Sequence, residues 1–303
     1  MKSKIERNKV SSSRIRQDFK FYYDNKFFNK WMNKFKFSEN LSYQEIHYIM
    51  KKFWSNGTIA CSRRLNPIED ERLPKLVFTP WVMAQTYNCY DFPNYATCIN
   101  TRGVSYINPN ELEVDKDIVL GWCQANHKGI YAMIEPKVNQ LVDLEMVIRI
   151  CTKNQKSPWI IAMSPEDRKA VDQLINDMES DEPILVTMLQ DLKNAKALNS
   201  TAPFILDKLE MQRQKIEDDI DTQIGESNVG VAQKKEHLTD DEVQSNNVVI
   251  QNNDEDFLYY VEDFFKRIKE CFDIEYDVEL KREEFIDYVD DNENEEDSEN
   301  EME

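Results

Sequence analysis

The sequence predicts an α+β protein in which amphipathic helices flank a β-rich part. Apolar residues recur with helical spacing near the N terminus and in two long segments that follow Pro136 and Pro203. Between residues 58 and 134, five short β-rich runs are instead separated by prolines. This alternation favours a small sheet or barrel packed on helices.

Composition limits the classes of protein that the chain can belong to. With 303 residues, 41% of them hydrophobic, it can bury a core. It has no apolar run near the roughly 18 residues of a membrane span, and its basic N terminus leads into no secretory signal, so we expect a soluble protein made in the cytosol. The six cysteines are far apart without a CxxC pair, which predicts free thiols and neither a disulfide framework nor a metal site.

The charge is unevenly distributed along the chain. The net charge is −19, yet residues 1–36 contain eleven basic and three acidic residues, a net charge of +8 that leaves −27 for the remainder. We therefore expect an anionic partner to meet the N-terminal arm, while the acidic body repels phosphate. Residues 1–16 are predicted to be mobile until they bind something.

The first predicted helix starts near Phe19 and combines two repeats of four residues. Aromatic residues form one repeat and lysines the other, which places an aromatic face beside a basic face. The members are Tyr23, Phe27, Trp31 and Phe35, and Lys26, Lys30 and Lys34. Two interpretations stay open here: a core helix with a solvated edge, or a surface that binds nucleic acid or an anionic assembly.

The second predicted helix has a defined start and end. Ser42 followed by Glu45 forms a capping box, and Asn56-Gly57 is a stop signal. The β-rich runs come next, and they are TIACS, KLVFTPWVMAQTY, ATCINTRGVSYI, DIVLGWC and GIYAMI.

Two longer helices are predicted further along, on either side of a compact unit. The helix after Pro136 is apolar on two faces, one marked by Leu141, Leu144 and Ile148, so we expect neighbours on both sides. A strand in SPWIIAMS, a short acidic helix and a strand in PILVTM follow. The next helix has Thr201-Ala-Pro203 as its start signal and Gly225 as its stop, and its apolar stripe contains Ile205, Leu209, Ile216, Ile220 and Ile224.

The C-terminal third begins and ends with polar sequence. Residues 225–248 contain hardly any large apolar side chain, which predicts a mobile loop or linker. A short strand, an amphipathic helix through Phe257 and Phe264, and an alternating strand follow, and we expect them to rejoin the N-terminal β-rich part. Residues 290–303 contain nine acidic residues in fourteen, which predicts a disordered tail.

Enzymatic signatures are weak in this sequence. It contains neither GxGxxG nor GxxxxGK[ST], which excludes an ATP-driven motor of that kind. His47, His127 and His237 stand alone, and we expect them to be structural or exposed. Glu279-Leu-Lys281 matches the ExK end of metal-dependent nuclease motifs, although such a triplet is expected by chance in a chain that is 31% charged.

Five stretches of the chain carry a resemblance to a known family. They are FSENLSYQEIHYIMKKFWSNG, PKVNQLVDLEMVIRICTKNQKSPWIIA, APFILDKLEMQ, KKEHLTDDEVQSNN and CFDIEYDVEL. In this order they resemble the portal (upper collar, or head–tail connector) proteins of small protein-primed podophages of the Picovirinae type. The resemblance covers about 240 residues, and the chain length agrees.

The resemblance implies a portal fold with long antiparallel stem helices, a small α/β clip and a wing of mixed helices and β-rich, SH3-like structure. It divides the chain into an N-terminal arm and first wing part (1–134), stem helix 1 (135–154), the clip (155–201), stem helix 2 (202–224), a channel loop (225–246), a second wing part (247–289) and the acidic tail (290–303).

The resemblance also implies a function without cofactors, metals or catalysis. Twelve subunits would form a ring at one capsid vertex of the virion, assembled in the host cytoplasm, through which double-stranded DNA enters and leaves. The major capsid protein, a lower collar or tail protein and, transiently, a packaging ATPase would be its partners. Lys208, Lys234 and Lys235 match positions that could reach DNA, and Leu141, Leu144, Ile148, Ile205, Leu209, Ile216 and Ile220 would pack between subunits.

One stretch departs from the family pattern, and two other functions stay open. ALNST, before the second stem helix, lacks the basic residue expected of a relative, which puts a ring of lysines at that level in doubt. An adaptor whose acidic tail binds basic proteins is the first alternative. A metal-dependent nuclease that uses Glu279 and Lys281 is the second.

Overall fold

The computed structural model describes residues 12–65, 75–100, 102–156, 159–162, 196–199, 205–227 and 240–281. The helices in these ranges are α1 (Ser12–Asn33), α2 (Tyr43–Asn56), α3 (Ile130–Lys156), α4 (Leu206–Gln223) and α5 (Asp240–Phe272). The strands are β1 (Phe35–Phe37), β2 (Thr58–Arg63), β3 (Leu76–Thr79), β4 (Trp81–Tyr87), β5 (Pro93–Cys98), β6 (Glu111–Glu113), β7 (Ile118–Trp122), β8 (Trp159–Ala162), β9 (Lys196–Asn199) and β10 (Val278–Leu280).

The β-rich part consists of two antiparallel three-stranded sheets, ordered β3-β2-β7 and β4-β5-β6. A small apolar core joins the sheets and contains Ala60 and Leu120 from one, and Ala96 and Leu112 from the other. Together with the helices, these sheets confirm the predicted α+β class.

The two ends of the described chain meet in a further sheet. β1 pairs antiparallel with β10, with Phe35 opposite Leu280 and Phe37 opposite Val278. Helix α5 packs on β7, where Gly121 leaves room for a ring: a Cβ there would lie 2.6 Å from the Phe264 ring. The predicted return of the C-terminal segment to the N-terminal part is therefore confirmed.

The main core is formed by all five described helices and by strands of the β-rich part. Helix α1 contributes the predicted aromatic face, because Tyr23, Phe27 and Trp31 are buried. Both hydrogen bonds of the predicted capping box at Ser42 and Glu45 are present, and Gly57 ends α2 in the left-handed conformation with φ 77°. These local predictions are confirmed.

Two predicted strands are wrong. GIYAMI forms the start of α3, because Ile130, Ile134 and Val138 are buried at helical spacing across Pro136. The run at 248–251 belongs to α5, which begins at Asp240 and shortens the predicted loop. Three predictions lie outside the described residues: the helix start at 201–203, the acidic helix after Ser164 and the strand in PILVTM. In the described part, β9 (Lys196–Asn199) pairs antiparallel with β8.

Candidate functional site

The paired helices α3 and α4 are the candidate functional element. Lys137 of α3 pairs with Asp219 at 2.9 Å, and Glu145, eight residues further along, pairs with Arg213 at 3.5 Å. The partner numbers fall as the α3 numbers rise, so the two helices are antiparallel. The predicted antiparallel arrangement of the stem helices is therefore present.

In the half of this pair nearest the β-rich part, one face of each helix is buried within the chain itself, while residues such as Met133 and Gln140 stay exposed. Helix α1 covers the buried face: Lys20 pairs with Glu135 at 3.0 Å, and the Tyr23 hydroxyl donates to Glu145 at 2.6 Å. Three residues expected to pack between subunits lie in this half and belong to the chain's own core, namely Leu141, Ile216 and Ile220. The structure corrects that expectation, because side chains enclosed by α1 and the paired helix present no surface to another copy.

The other half of the pair leaves apolar side chains in water. Val147 and Ile150 of α3 are 42% and 54% exposed, and Met211 and Ile205 at the start of α4 are 50% and 36% exposed. We call these four residues the distal stem surface. Leu144, Ile148 and Leu209 beside it are half-buried. Exposed apolar side chains also occur elsewhere in the described chain, for example at Val82, Tyr87 and Tyr90, but this surface lies on the paired helices and is our candidate for packing against another copy.

The lysine row of α1 faces acidic residues of α4 and α5. Lys26 pairs with Glu217 and Lys30 with Asp221, each at 2.7 Å, and Lys34 pairs with Asp254. Trp31, on the same helix, is fully buried. The structure therefore favours the core-helix interpretation, since all three lysines are already paired within the chain.

Lys34 anchors the junction where α4 ends and the polar segment begins. Its ammonium donates both to the Asp254 carboxylate and to the Ile224 carbonyl at the C-cap of α4. Burial lowers the pKa of Lys34 and raises the pKa of Asp254 and of Asp221, because each group loses solvation of its charged form. Gly225 follows with φ 74°, and a Cβ there would collide with the Asp254 carboxylate.

The residues predicted to reach DNA are only partly within the described chain. Lys208 is exposed in the first turns of α4, while Lys234 and Lys235 lie outside the described residues.

The nuclease motif gains no support from the structure. Glu279 is exposed on β10 beside Lys36, and the described residues contain no group of three His, Cys, Asp or Glu side chains that could hold a metal. Of the histidines in the described ranges, His127 stacks on Trp122 and His47 contacts Phe28. All six cysteines are free. No helix within the described ranges has the length and hydropathy needed to cross a membrane.

The fold first defines the class of this chain: it is an α+β protein with two long paired helices and exposed apolar side chains on that pair. The sequence comparison then gives the family, because the family model described as Phage Connector (GP10) matches residues 2–285. The chain belongs to the Phage Connector family and is a head–tail connector, or portal, protein, which is a structural component of the phage particle and no enzyme. Such proteins form oligomeric rings at the portal vertex of the virion, with capsid and tail proteins and DNA as partners.

Two solved structures of low sequence identity are similar to this chain. One is the portal in "Portal and tail of native bacteriophage P68", with 12% identity, a TM-score of 0.46 and 90% of each chain covered. The other is an HK97-family phage portal protein from Corynebacterium diphtheriae, with 10% identity, a TM-score of 0.46, and 89% of this chain and 96% of that chain covered.

Proposed function

We propose that twelve copies of this chain form a closed ring at one capsid vertex, through which double-stranded DNA passes during packaging and ejection and to which the tail attaches. The family match over residues 2–285 carries this proposal. The ring would assemble in the host cytoplasm and engage the major capsid protein, a lower collar or tail protein and, transiently, a packaging ATPase.

The observed elements suggest how the parts of such a ring are divided. We assign residues 12–129 and 240–281 to the wing, α3 and α4 to the stem, and residues 225–239 to the channel loop, with the clip between the stem helices. These bounds follow the ends of α3 and α5, which differ from the sequence-based bounds by several residues.

The distal stem surface supports a contact between subunits. A ring closed by rotation joins two different surfaces of each copy, so each stem needs an apolar face for a neighbour. The four residues of the distal stem surface would provide such a face. It would be extended by the half-buried residues beside it, which are Leu144, Ile148 and Leu209. Fully burying an exposed side chain of this size contributes about 1.5–3 kcal/mol, so each of the four side chains of the distal stem surface, which are 36–54% exposed, would contribute roughly half of that. The contribution is repeated at each of the twelve contacts.

The charges of the stem and loop suit passage of DNA rather than tight binding. Helix α4 contains six acidic and three basic residues, so it repels phosphate overall. Lys208, Lys234 and Lys235 would supply the few attractive contacts. Because affinity for DNA grows with each phosphate that is neutralised, sparse contacts let the duplex slide.

A charge placed on the distal stem surface tests the ring. We expect Ile150→Asp to weaken ring assembly by at least about tenfold, because a carboxylate would be buried among apolar side chains. Gln140→Asp is the matched control, since Gln140 is exposed on the covered half of the same helix. Native mass spectrometry reads the outcome: rings in the control and small species in Ile150→Asp support the proposal, while intact rings in both contradict it.

Removal of the loop tests the channel. We expect deletion of residues 228–239 to leave the ring intact and to reduce DNA retention after packaging, because this deletion spares the Lys34 junction and the start of α5. Loss of the ring would show that the segment is structural. Normal retention would show that it does not hold DNA.

A further inference from the structure

A cleft in the wing lies between α5 and the strands β5, β6 and β7, and aromatic side chains line its floor. The Trp122 and His127 rings are stacked, with centroids 4.7 Å apart, and Phe92 contacts Trp122 edge-on at 5.6 Å. Tyr259 and Tyr260 of α5 form the opposite side. Such a floor suits a ligand with cationic and apolar groups, because aromatic faces attract both.

Arg267 holds the floor in place and leaves it with an excess of negative charge. Its guanidinium lies 5.5 Å from the centroid of the Trp122 ring and donates to the Leu120 carbonyl at 2.6 Å. The same guanidinium pairs with Asp263 at 2.9 Å and with Asp115 at 3.2 Å. Two carboxylates share one cation, so the cleft favours a further positive charge.

Helix α5 adds three carboxylates around Tyr259, which we call the rim; they lie outside the lining of the cleft itself. Glu255, Asp256 and Glu262 are exposed and make no hydrogen bond or ion pair with any described residue. With Tyr259, which is 63% exposed, they share one side of the helix, since they are spaced by three, four and seven residues. Lys266 is exposed on the same side, four residues after Glu262, so a segment lying along this rim would meet three negative charges and one positive charge beside an aromatic floor.

The chain itself contains a segment of complementary chemistry. Residues 1–11, MKSKIERNKVS, carry four basic residues and one acidic residue, with apolar side chains between them. Fully extended, eleven residues reach roughly 36–40 Å, which exceeds the diameter of a small domain at about 30 Å. The arm precedes α1, whose Phe21 and Tyr22 are exposed, so the helix that carries the arm also presents aromatic groups outwards.

We propose that residues 1–11 of one copy bind in the wing cleft of a neighbouring copy, an inference that rests on the proposed ring. A rotationally closed ring needs two different, complementary surfaces on each chain, and the basic arm and the acidic, aromatic cleft form such a pair. The lysines and arginine of the arm pair with the rim carboxylates and lie over the aromatic rings. The contact links adjacent wings, separately from the apolar contact of the stems.

Photo-crosslinking in the full-length protein tests this contact. p-Benzoylphenylalanine in place of Tyr259 should give a covalent dimer on a denaturing gel, with the crosslinked peptide mapped by mass spectrometry to residues 1–11. The same group in place of Tyr43, which is 73% exposed at the start of α2, is the matched control and should not capture the arm. A triple variant should reduce the yield of the crosslinked dimer at least about tenfold, because its new lysines would face the basic residues of the arm. The three substitutions are Glu255→Lys, Asp256→Lys and Glu262→Lys.

The outcomes separate this inference from the proposed ring. Native mass spectrometry of the same preparation reports the ring independently. Two outcomes overturn the contact between the arm and a neighbouring copy while the ring is still observed. In the first, the crosslinks from position 259 map to a segment other than residues 1–11. In the second, the crosslinked product has the mass of a single chain on the gel, which shows that the arm binds within its own copy. A preparation without rings contradicts the proposed function itself.

Discussion

Replacement of Lys34 by alanine should be among the most destabilising single changes in this protein. The Lys34 and Asp254 side chains are only 10% and 20% exposed, and the ammonium also satisfies the Ile224 carbonyl at the end of α4. Without the lysine, a largely buried carboxylate and a carbonyl lose their partner. Breaking a buried pair from one side costs about 3–5 kcal/mol, so we expect a loss of that size in the free energy of unfolding.

Two further variants show that the loss comes from the uncompensated charge. Lys36→Ala removes a lysine two residues away, whose pair with Glu279 is 69% exposed on both sides, and should cost about 0–1 kcal/mol. The double variant Lys34→Met with Asp254→Leu removes both charges and should recover the part of the loss that comes from the uncompensated carboxylate, because apolar pairs of similar volume replace buried ion pairs at little cost. The Ile224 carbonyl still lacks its partner in this variant, so the recovery should be incomplete.

Urea unfolding followed by tryptophan fluorescence measures all of these variants. Trp31 is fully buried three residues before Lys34 and is one of the five tryptophans whose fluorescence follows unfolding. The measurements need one fixed protein concentration, because assembly couples to apparent stability. If Lys34→Ala lowers the free energy of unfolding no more than Lys36→Ala does, the reasoning about this junction is wrong.

Three further predictions concern other parts of the fold. Ser42→Ala removes the N-cap of α2 and should cost about 1 kcal/mol in urea unfolding, while Ser42→Gly should cost only a few tenths; equal stability of all three proteins would argue against the cap. Gly121→Ala should cost about 1–3 kcal/mol, since its Cβ would press on the Phe264 ring, and an unchanged melting temperature would contradict that crowding. Burial raises the pKa of Asp221 above the ordinary value of an aspartate, so the folded protein binds this proton more tightly than the unfolded chain does. The stability that this group contributes is therefore present at low pH and is lost as pH rises through the raised pKa. The free energy of unfolding of the wild type minus that of Asp221→Asn should therefore be larger at pH 4 than at pH 7. A smaller difference at pH 4 would contradict the raised pKa of Asp221.

Features set by neighbouring residues could be predicted from the sequence. The capping box at Ser42, the stop at Gly57 and the aromatic stripe of α1 depend on contacts within one or two helical turns, and all are present. Short apolar runs were less informative, because GIYAMI and the run at 248–251 are compatible with strand and helix alike. Their type is decided by the buried faces that they continue, through Ile130 and Ile250.

The candidate site depended on contacts between distant segments, which a local pattern does not report. Lys34 and its partner Asp254 are 220 residues apart, and no local pattern connects them. For Lys26 and Lys30, the sequence hint is the matching four-residue spacing of their partners Glu217 and Asp221. Which half of the stem is left for a neighbour could not be read from the apolar stripes. That choice is made by α1, which covers Leu141 and leaves Ile150 exposed.

The most direct test of the central claim is an averaged electron micrograph of the purified full-length protein viewed down its symmetry axis, with a native mass from the same sample. We predict a closed ring with twelvefold symmetry around an open centre. Its mass would be that of twelve 35.9 kDa chains, about 430 kDa. A stable monomer or dimer, with the apolar residues of the distal stem surface still in water, would contradict the account.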